Sequence, residues 1–300
     1  MSMLKTYEFF LHGLLKLVGL SPRKIEIEPG TVINVWGPTK PTKKPALVFV
    51  HGVGFDGVLT WQFQAFAFAK DYSVYLPDLL FFGGSVTDKA ERSAAFQAEC
   101  VAKALWKLGV DKCTVVGLSY GGMVSFKMAE MYPELVESMV ATCTVMSVTE
   151  SIRNAGTNRL GISDWGEFMF PDTVEGLETL MQLTSYKASK LPKWIYKDLL
   201  VKGGLIDYKK ERLELLEALQ ISDNEFTVPC FKQRIHLLWG ENDMLFDLDT
   251  ARNMKRQIGE NASLEYIEKA GHNVPLDRPF EYNSRLKKIL ASFSSNPNNV

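Results

Sequence analysis

Short apolar runs alternate with helical patterns along most of the chain. Runs such as 46–50 and 113–116 are rich in β-branched residues and apolar on both faces, which is typical of buried parallel strands. The segment 93–108 instead spaces its apolar residues as an amphipathic helix does, and Gly109 marks its C-terminal end. Strands that alternate with helices predict an α/β fold with a mostly parallel, doubly wound sheet.

The first part of the chain has a different pattern. Residues 24–36 alternate apolar and polar side chains around the turn sequence Glu28-Pro29-Gly30. This pattern predicts an antiparallel β-hairpin ahead of the parallel sheet.

The alternation of strands and helices stops near residue 147 and resumes at 234. Between these points the periodicity predicts helices and no convincing strand; the helical stretches are 173–183, 193–201 and 209–219. We therefore expect a helical cap at 147–226, inserted between the sixth and seventh strands of a core formed by 23–146 and 227–300. Ligands of open α/β sheets bind beyond the carboxyl ends of the strands, where such a cap would act as a lid.

An apolar stretch at 9–20 lies near the start of the chain. It is shorter than the roughly 20 residues that cross a bilayer, and Lys16 interrupts it. No small-residue cleavage site follows it, which argues against a signal peptide. We expect an amphipathic helix within 1–22. It either packs on the domain or makes a peripheral contact with a membrane surface.

Composition and charge limit the classes of partner. Apolar residues make up 46% and charged residues 23% of the chain, as in ordinary globular proteins, and the formal net charge is −1. Without a basic cluster, nucleic-acid binding is not expected. The four cysteines fit neither a zinc site nor a disulfide framework, which favours reduced thiols and a cytoplasmic location; they are Cys100, Cys113, Cys143 and Cys230.

The sequence GLSYG at 117–121 has the form G-x-S-x-G between a predicted strand and a predicted helix. A strand, a tight turn and a helix in this order expose the hydroxyl of the central residue above the sheet. The glycines allow neighbouring backbone to pass close to the turn. Ser119 is therefore the candidate nucleophile.

An acid and a base follow two later strands. Asp243 comes just after the apolar run 234–240, and His272 comes just after 264–268. In such a triad the aspartate orients the histidine that activates the serine. The order Ser119, Asp243, His272 is that of the α/β-hydrolase fold and not that of the chymotrypsin or subtilisin types. Asp247 is the alternative acid. His236 lies within a predicted strand and is expected to be a core histidine. His51 precedes Gly52 and is expected to shape the loop that binds the oxyanion, and His12 has no assigned role.

Five ordered segments make the chain similar to a known family; they are HGVGFDGVLTW, YLPDLLFFGGS, VVGLSYGGM, LLWGENDMLF and KAGHNVPLDRP. Over about 45–290 the sequence resembles the α/β-hydrolase superfamily, in particular capped serine hydrolases of the esterase and monoacylglycerol-lipase type. Epoxide hydrolases share this motif layout. The resemblance implies that the backbone N–H groups of Val53 and Tyr120 bind the oxyanion of the reaction. Phe81 stands where the family usually has glycine, a change that could reshape the pocket mouth.

The resemblance implies hydrolysis of a carboxylic ester of a small or lipid-like apolar molecule, through an acyl-enzyme on Ser119 and without metal or cofactor. Two alternatives remain: a carbon–carbon bond hydrolase with the same triad, and a butenolide or hormone receptor that retains it. Epoxide hydrolases are disfavoured because their nucleophile is an aspartate. Tyr120 and Met244 are candidate pocket walls. Aromatic residues of the cap are further candidates for substrate contact; they are Trp165, Phe168, Phe170, Tyr186, Trp194, Tyr196 and Tyr208.

Overall fold

A computed structural model gives the fold and describes residues 2–188 and 190–294. The strands are β1 (Leu20–Glu28), β2 (Thr31–Pro38), β3 (Ala46–Val50), β4 (Ser73–Pro77), β5 (Val86–Thr87), β6 (Cys113–Leu118), β7 (Val136–Thr142), β8 (Val148–Thr149), β9 (Gln220–Ile221), β10 (Arg234–Gly240) and β11 (Ala262–Ile267). In the described residues these strands form a nine-stranded sheet and a separate two-stranded sheet.

The large sheet has the strand order β1-β2-β4-β3-β6-β7-β10-β11, with the short β5 paired to β2. From β4 to β11 all neighbours are parallel, whereas β1 pairs with β2, and β2 with β4, in antiparallel fashion. The predicted hairpin is therefore present at one edge. The predicted α/β fold with a mostly parallel sheet is confirmed.

The helices of the described residues are α1 (Met3–Leu17), α2 (Gly57–Phe68), α3 (Ala94–Lys107), α4 (Tyr120–Met131), α5 (Glu150–Leu160), α6 (Trp165–Met169), α7 (Val174–Thr184), α8 (Lys193–Lys202), α9 (Lys209–Glu217), α10 (Leu248–Ile258), α11 (Val274–Asp277) and α12 (Pro279–Ser294). Outside the region predicted as a cap, α3 packs on α4, and α2 contacts α1, α11 and α12. The helix α10 packs on β10 and β11. The strands of the sheet form a core whose central β3 side chains, such as Val48 and Phe49, are fully buried.

The N-terminal helix is shorter than the predicted segment 1–22. It runs from Met3 to Leu17, and residues from Leu20 onward already belong to β1. Gly19, at φ +85°, separates the two elements, because this left-handed backbone ends a helix readily. Among the described residues, none of the helices combines the length and the hydrophobicity that a membrane span requires.

The region predicted as a cap contains helices α5 to α9, but the expectation that it holds no strand is wrong. Val148 and Thr149 pair in parallel with Gln220 and Ile221, at the points where the chain leaves and re-enters the core. Strands of two residues carry no periodicity, so their pairing depends on the tertiary fold. The predicted core segment 227–300 extends beyond the described residues, since 295–300 lie outside them.

Candidate active site

Ser119 lies between β6 and α4 with an unusual backbone conformation. Its φ of 54° and ψ of −122° are strained for a residue with a side chain. Three interactions hold the backbone in place: the Ser119 N–H donates to the Thr142 carbonyl at 3.0 Å, and the Ser119 carbonyl accepts from the Thr144 hydroxyl at 2.6 Å and from the Gly122 N–H at 2.8 Å. The turn therefore has the geometry expected of a nucleophile that follows a strand.

Two glycines permit this turn. A Cβ at Gly121 would overlap the carbonyl oxygens of Val50 and His51 at the end of β3. A Cβ at Gly117 would overlap the Ser125 hydroxyl and the Gly121 carbonyl. The close approach of α4 to β3 and β6 therefore requires glycine at both positions.

Asp243 and His272 are brought together from different strand ends. The Nδ1 atom of His272 lies 3.0 Å from one carboxylate oxygen of Asp243 and 3.1 Å from the other. The carboxylate also accepts the backbone N–H groups of Leu245, at 2.8 Å, and Phe246, at 3.1 Å. Because a carboxylate only accepts, Nδ1 carries the proton, and Nε2 is left as the basic atom of the neutral ring.

Ser119 and His272 line the same cavity, between the sheet and the cap. Both are nearly fully buried, with 6% and 4% of their surface exposed. Within the described part of the chain, Nε2 of His272 is buried without a hydrogen-bond partner. A buried basic nitrogen beside a serine hydroxyl can take the proton of that hydroxyl as it attacks a substrate.

The loop after β3 and the start of α4 lie beside this cavity. Val53 lies in the loop and lines the cavity, and Tyr120 is the first residue of α4, directly after Ser119. The N-terminal end of a helix carries partial positive charge, which favours an anion there. Among the described residues, neither the Val53 nor the Tyr120 N–H donates a hydrogen bond to another protein group.

Comparisons with known proteins agree with this geometry. The family model described as the α/β hydrolase fold matches residues 45–184. A crystal structure of a bacterial membrane phospholipase A superposes with a TM-score of 0.80 over 98% of this chain and 92% of that chain, at 23% sequence identity. The chain has the α/β-hydrolase fold.

Two further similar proteins differ in the reactions they are named for. The human monoacylglycerol lipase ABHD6 is 25% identical over 282 residues, covering 87% of this chain and 79% of that protein. The 2-hydroxy-6-oxo-6-phenylhexa-2,4-dienoate hydrolase of a Rhodococcus strain has a TM-score of 0.75 at 18% identity, covering 91% of this chain and 99% of that chain. The second likeness shows a shared fold alone.

The alternative acid has another role in the hydrolase. Asp247 caps α10 by accepting the Thr250 N–H at 2.9 Å, and it pairs with Arg159 of α5 at 2.5 Å. It therefore joins the cap region to the core.

The remaining histidines lie in other surroundings. His236 lies in β10, where its Nδ1 is 2.7 Å from the Ser263 hydroxyl. His12 lies on α1, with its ring 4.7 Å from that of Trp36.

A cluster of possible metal ligands overlaps the catalytic candidates. In the described residues, ligand atoms of Cys143, Asp243 and His272 lie within 4.8 Å of one another. Burial, and then the negative charge of Asp243, raises the pKa of the Cys143 thiol well above its usual value. Sγ of this thiol accepts the Gly240 N–H at 3.4 Å, and the nearby Asp243 carboxylate already binds His272. This arrangement favours an internal hydrogen-bond network over metal ligation.

Asp277 is a supporting residue that the sequence patterns did not reveal. Its carboxylate accepts the Gly271 N–H at 2.8 Å, next to His272, and the Tyr186 N–H of the cap region at 2.7 Å. Burial raises the pKa of this carboxyl above its usual value. Its place in KAGHNVPLDRP, five residues after the histidine, is the signal that could have indicated it.

The wall of the cavity differs from the one predicted. Among the described residues, Tyr120, Met244 and the seven predicted cap aromatics are absent from the lining. Tyr120 points its side chain into the core, and Met244 is exposed. Aliphatic and methionine side chains take their place, with one aromatic residue from the loop after β3; the apolar lining is Val53, Phe55, Leu118, Met169, Leu177, Leu180, Met181, Leu205 and Leu276.

Phe81 does not line this cavity, but it lines a neighbouring one that shares Gly54 and Phe55 with it. It keeps the left-handed backbone of the glycine it replaces, at φ +73°. Its ring is buried, with the guanidinium of Arg92 4.6 Å from its centre and Tyr208 at 5.9 Å. Its carbonyl accepts Nε of Arg212, from α9, at 2.9 Å. Phe81 therefore holds the cap region to the core beside the catalytic cavity.

Proposed function

We propose that this protein hydrolyses carboxylic esters by a serine mechanism. The observation that carries the proposal is the shared cavity of Ser119 and His272, in which the unpartnered Nε2 can act on the hydroxyl. The relatives named as lipases support ester hydrolysis in general.

In the proposed mechanism Ser119 Oγ attacks the carbonyl carbon of the ester while His272 Nε2 takes its proton. Asp243 holds the imidazole through Nδ1 and stabilises the imidazolium that forms. The imidazolium then protonates the leaving alcohol, and an acyl-enzyme remains on Ser119. Water, deprotonated by the same nitrogen, attacks the acyl-enzyme, and the acid product leaves with Ser119 restored.

The negative charge of the tetrahedral intermediate falls on the former carbonyl oxygen. We assign the N–H groups of Val53 and Tyr120 as its donors. Removing one such donor in other hydrolases costs about 10²–10³ in rate, so the loop after β3 contributes strongly to catalysis.

The substrate class follows from the lining. Leu177, Leu180 and Met181 of α7 face the cavity from the cap side, and Leu118 and Leu276 from the core. An apolar acyl or alcohol group fits these walls, as in a monoacylglycerol or another lipid-like ester.

We also propose that the protein is located in the cytoplasm. This location agrees with the free thiols of all four cysteines.

The carbon–carbon bond hydrolase alternative is less well supported. The dienoate in the name of the Rhodococcus enzyme is a carboxylate, and an anion of this kind calls for a cationic partner. The described residues that line the cavity include neither lysine nor arginine.

Repeated turnover would distinguish the enzyme from the receptor alternative, because a receptor that retains its product would not complete further rounds of hydrolysis.

A series of p-nitrophenyl esters of increasing acyl length tests the proposal. We expect kcat/KM to rise by about fourfold per added methylene, the equivalent of about 0.8 kcal/mol, until the pocket is full, and then to fall. Ser119→Ala, shown to be folded by its melting temperature, is the background control. A steady preference for acetate over all longer esters would contradict the apolar acyl pocket, and a single turnover without release would favour the receptor.

A further inference from the structure

The outer face of α1 is unusually apolar for a surface helix. Large apolar side chains project from it into solvent, with exposed fractions of 74% for Phe9, 63% for Phe10, 52% for Leu14 and 83% for Leu17. Phe10, Leu14 and Leu17 follow one another at the spacing of a single helix face. Exposed apolar patches of this kind mark an interaction site.

The opposite face fixes α1 to the protein. Leu4, Leu11 and Leu15 are buried in the core cluster. The Leu4 N–H and the Ser2 hydroxyl both donate to the carboxylate of Asp198 on α8, at 2.8 and 3.0 Å. The exposed face is therefore displayed by a helix that is already held in place.

Exposed apolar side chains also lie on α8, the helix that holds the start of α1. Trp194 and Val201 are 60% and 47% exposed, and they lie on the same face of α8 as Asp198, which binds α1. The two helices also contact each other. Together, the outer face of α1 and this face of α8 form one surface, here called the α1–α8 surface.

Lysines surround this surface. The two helices carry five lysines and only two acidic residues; the lysines are Lys5, Lys16, Lys193, Lys197 and Lys202. All five are exposed. Lys5 pairs with Glu8 and Lys193 pairs with Glu175 of α7, both at 2.8 Å, while Asp198 is occupied by the start of α1. The surface thus combines projecting apolar side chains with positive charge.

We propose that the α1–α8 surface docks on a lipid bilayer that contains anionic lipids. Lysine side chains attract the negative surface of such a bilayer, while aromatic and aliphatic side chains enter the interface. A second copy of the chain is a poorer occupant, because a symmetric contact through this surface would bring the two sets of lysines together. Docking is a property separate from the proposed ester hydrolysis.

Docking also places the bilayer beside the catalytic cavity. The inner side of α8 buries Tyr196 and Leu200 against Leu177 and Leu205, and the latter two line the cavity. Only the α8 layer therefore separates the docked surface from the cavity wall.

Sedimentation of the full chain with vesicles tests the docking. We expect binding to phosphatidylcholine vesicles to increase when phosphatidylglycerol is added, and to weaken in high salt. The double variant Phe10→Glu, Leu17→Glu should lower the partition coefficient by about tenfold or more, because two apolar contacts are lost. Both side chains are exposed, so the variant should keep the wild-type melting temperature.

Phe280→Glu is the matched control, since Phe280 is 86% exposed on α12, outside the α1–α8 surface. We expect it to bind vesicles as the wild type does. Ser119→Ala should also bind normally, which separates failure of docking from failure of the proposed catalysis. Equal binding by the double variant and the wild type would overturn the proposal. So would a dimer that the double variant dissociates, because the surface would then belong to a second copy.

Discussion

The imidazole of His51 donates a hydrogen bond from Nδ1 to the carbonyl oxygen of Gly52, at 2.7 Å. Its Nε2 accepts the N–H of Leu79 at 2.9 Å, so both ring nitrogens of the neutral form are satisfied. Burial lowers the pKa of His51 to about 4, which keeps the ring neutral near pH 7. In a trans peptide the C=O and N–H point in opposite directions, so this bond turns the N–H of Val53 away from His51.

Because His51 holds the Gly52 carbonyl, we expect His51→Ala to impair catalysis, although His51 does not act on the reacting atoms. The Gly52–Val53 peptide loses its restraint, and kcat should fall by about 10²-fold, the usual effect of one lost oxyanion donor, with a smaller change in KM. Steady-state kinetics on one p-nitrophenyl ester would measure both. An unchanged kcat in a folded variant would show that His51 does not position the loop.

The two candidate acids should respond differently to loss of charge. Asp243→Asn removes the group that holds the tautomer of His272, and we expect kcat to fall by about 10⁴-fold. Asp247→Asn loses the ion pair with Arg159 and should change kcat by less than about threefold. Comparable losses in both variants, or a larger one at Asp247, would refute the assignment.

Asp56 should make stability depend on pH. Burial, and then the carboxylate of Asp78, raises the pKa of Asp56 to about 6. The Leu59 N–H and His51 lower this pKa to a smaller extent, and Glu8 raises it slightly. The folded protein holds this proton more tightly than the unfolded chain. The free energy of unfolding therefore loses a contribution as pH rises from about 4 to about 6.

Asp56→Asn removes this titration and can still cap α2, as Asp56 does through the Leu59 N–H. We expect the variant to match the wild type near pH 4 and to be more stable by about 1–2 kcal/mol above pH 7. Urea unfolding across this range would measure the difference. If the stability of Asp56→Asn relative to the wild type fell with rising pH, the pKa of Asp56 would not be raised in the folded protein.

Two glycine variants test the packing around Ser119. Gly121→Ala places a methyl group against the carbonyls of Val50 and His51, and we expect a loss of about 2–4 kcal/mol together with most activity. Gly13→Ala, on α1, meets no atom within 4 Å and should stabilise the protein by about 0.5–1 kcal/mol. Thermal unfolding monitored by calorimetry would distinguish them, and a neutral Gly121→Ala would show that the turn relaxes easily.

The sheet and the grouping of candidate residues could be predicted because local patterns encode them. An apolar run such as 113–116 predicts a strand. Ser119, Asp243 and His272 each follow a strand, and the carboxyl ends of these parallel strands lie on the same side of the sheet. Features that depend on distant partners could not be read this way. The pairing of Val148 with Gln220 joins residues far apart in the chain.

The cavity wall shows the same limit. Helical periodicity located α7 but not the direction in which Leu180 and Met181 face, since that depends on how the cap sits over the sheet. Trp194 was a candidate for substrate contact because it is an aromatic residue of the cap, yet it lies on the outer surface. Phe81 looked like a change at the pocket mouth, but its place is set by Arg92 and Tyr208, which come from elsewhere in the chain.

Covalent labelling of the intact protein with a fluorophosphonate tests the serine mechanism most directly. We expect one adduct by mass spectrometry, mapped to Ser119 by peptide digestion, because its hydroxyl shares a cavity with the unpartnered Nε2 of His272. His272→Ala should slow labelling by at least about 10²-fold, and Ser119→Ala should abolish it. An adduct on another residue, or labelling that persists in Ser119→Ala, would contradict the assignment of Ser119 as the nucleophile.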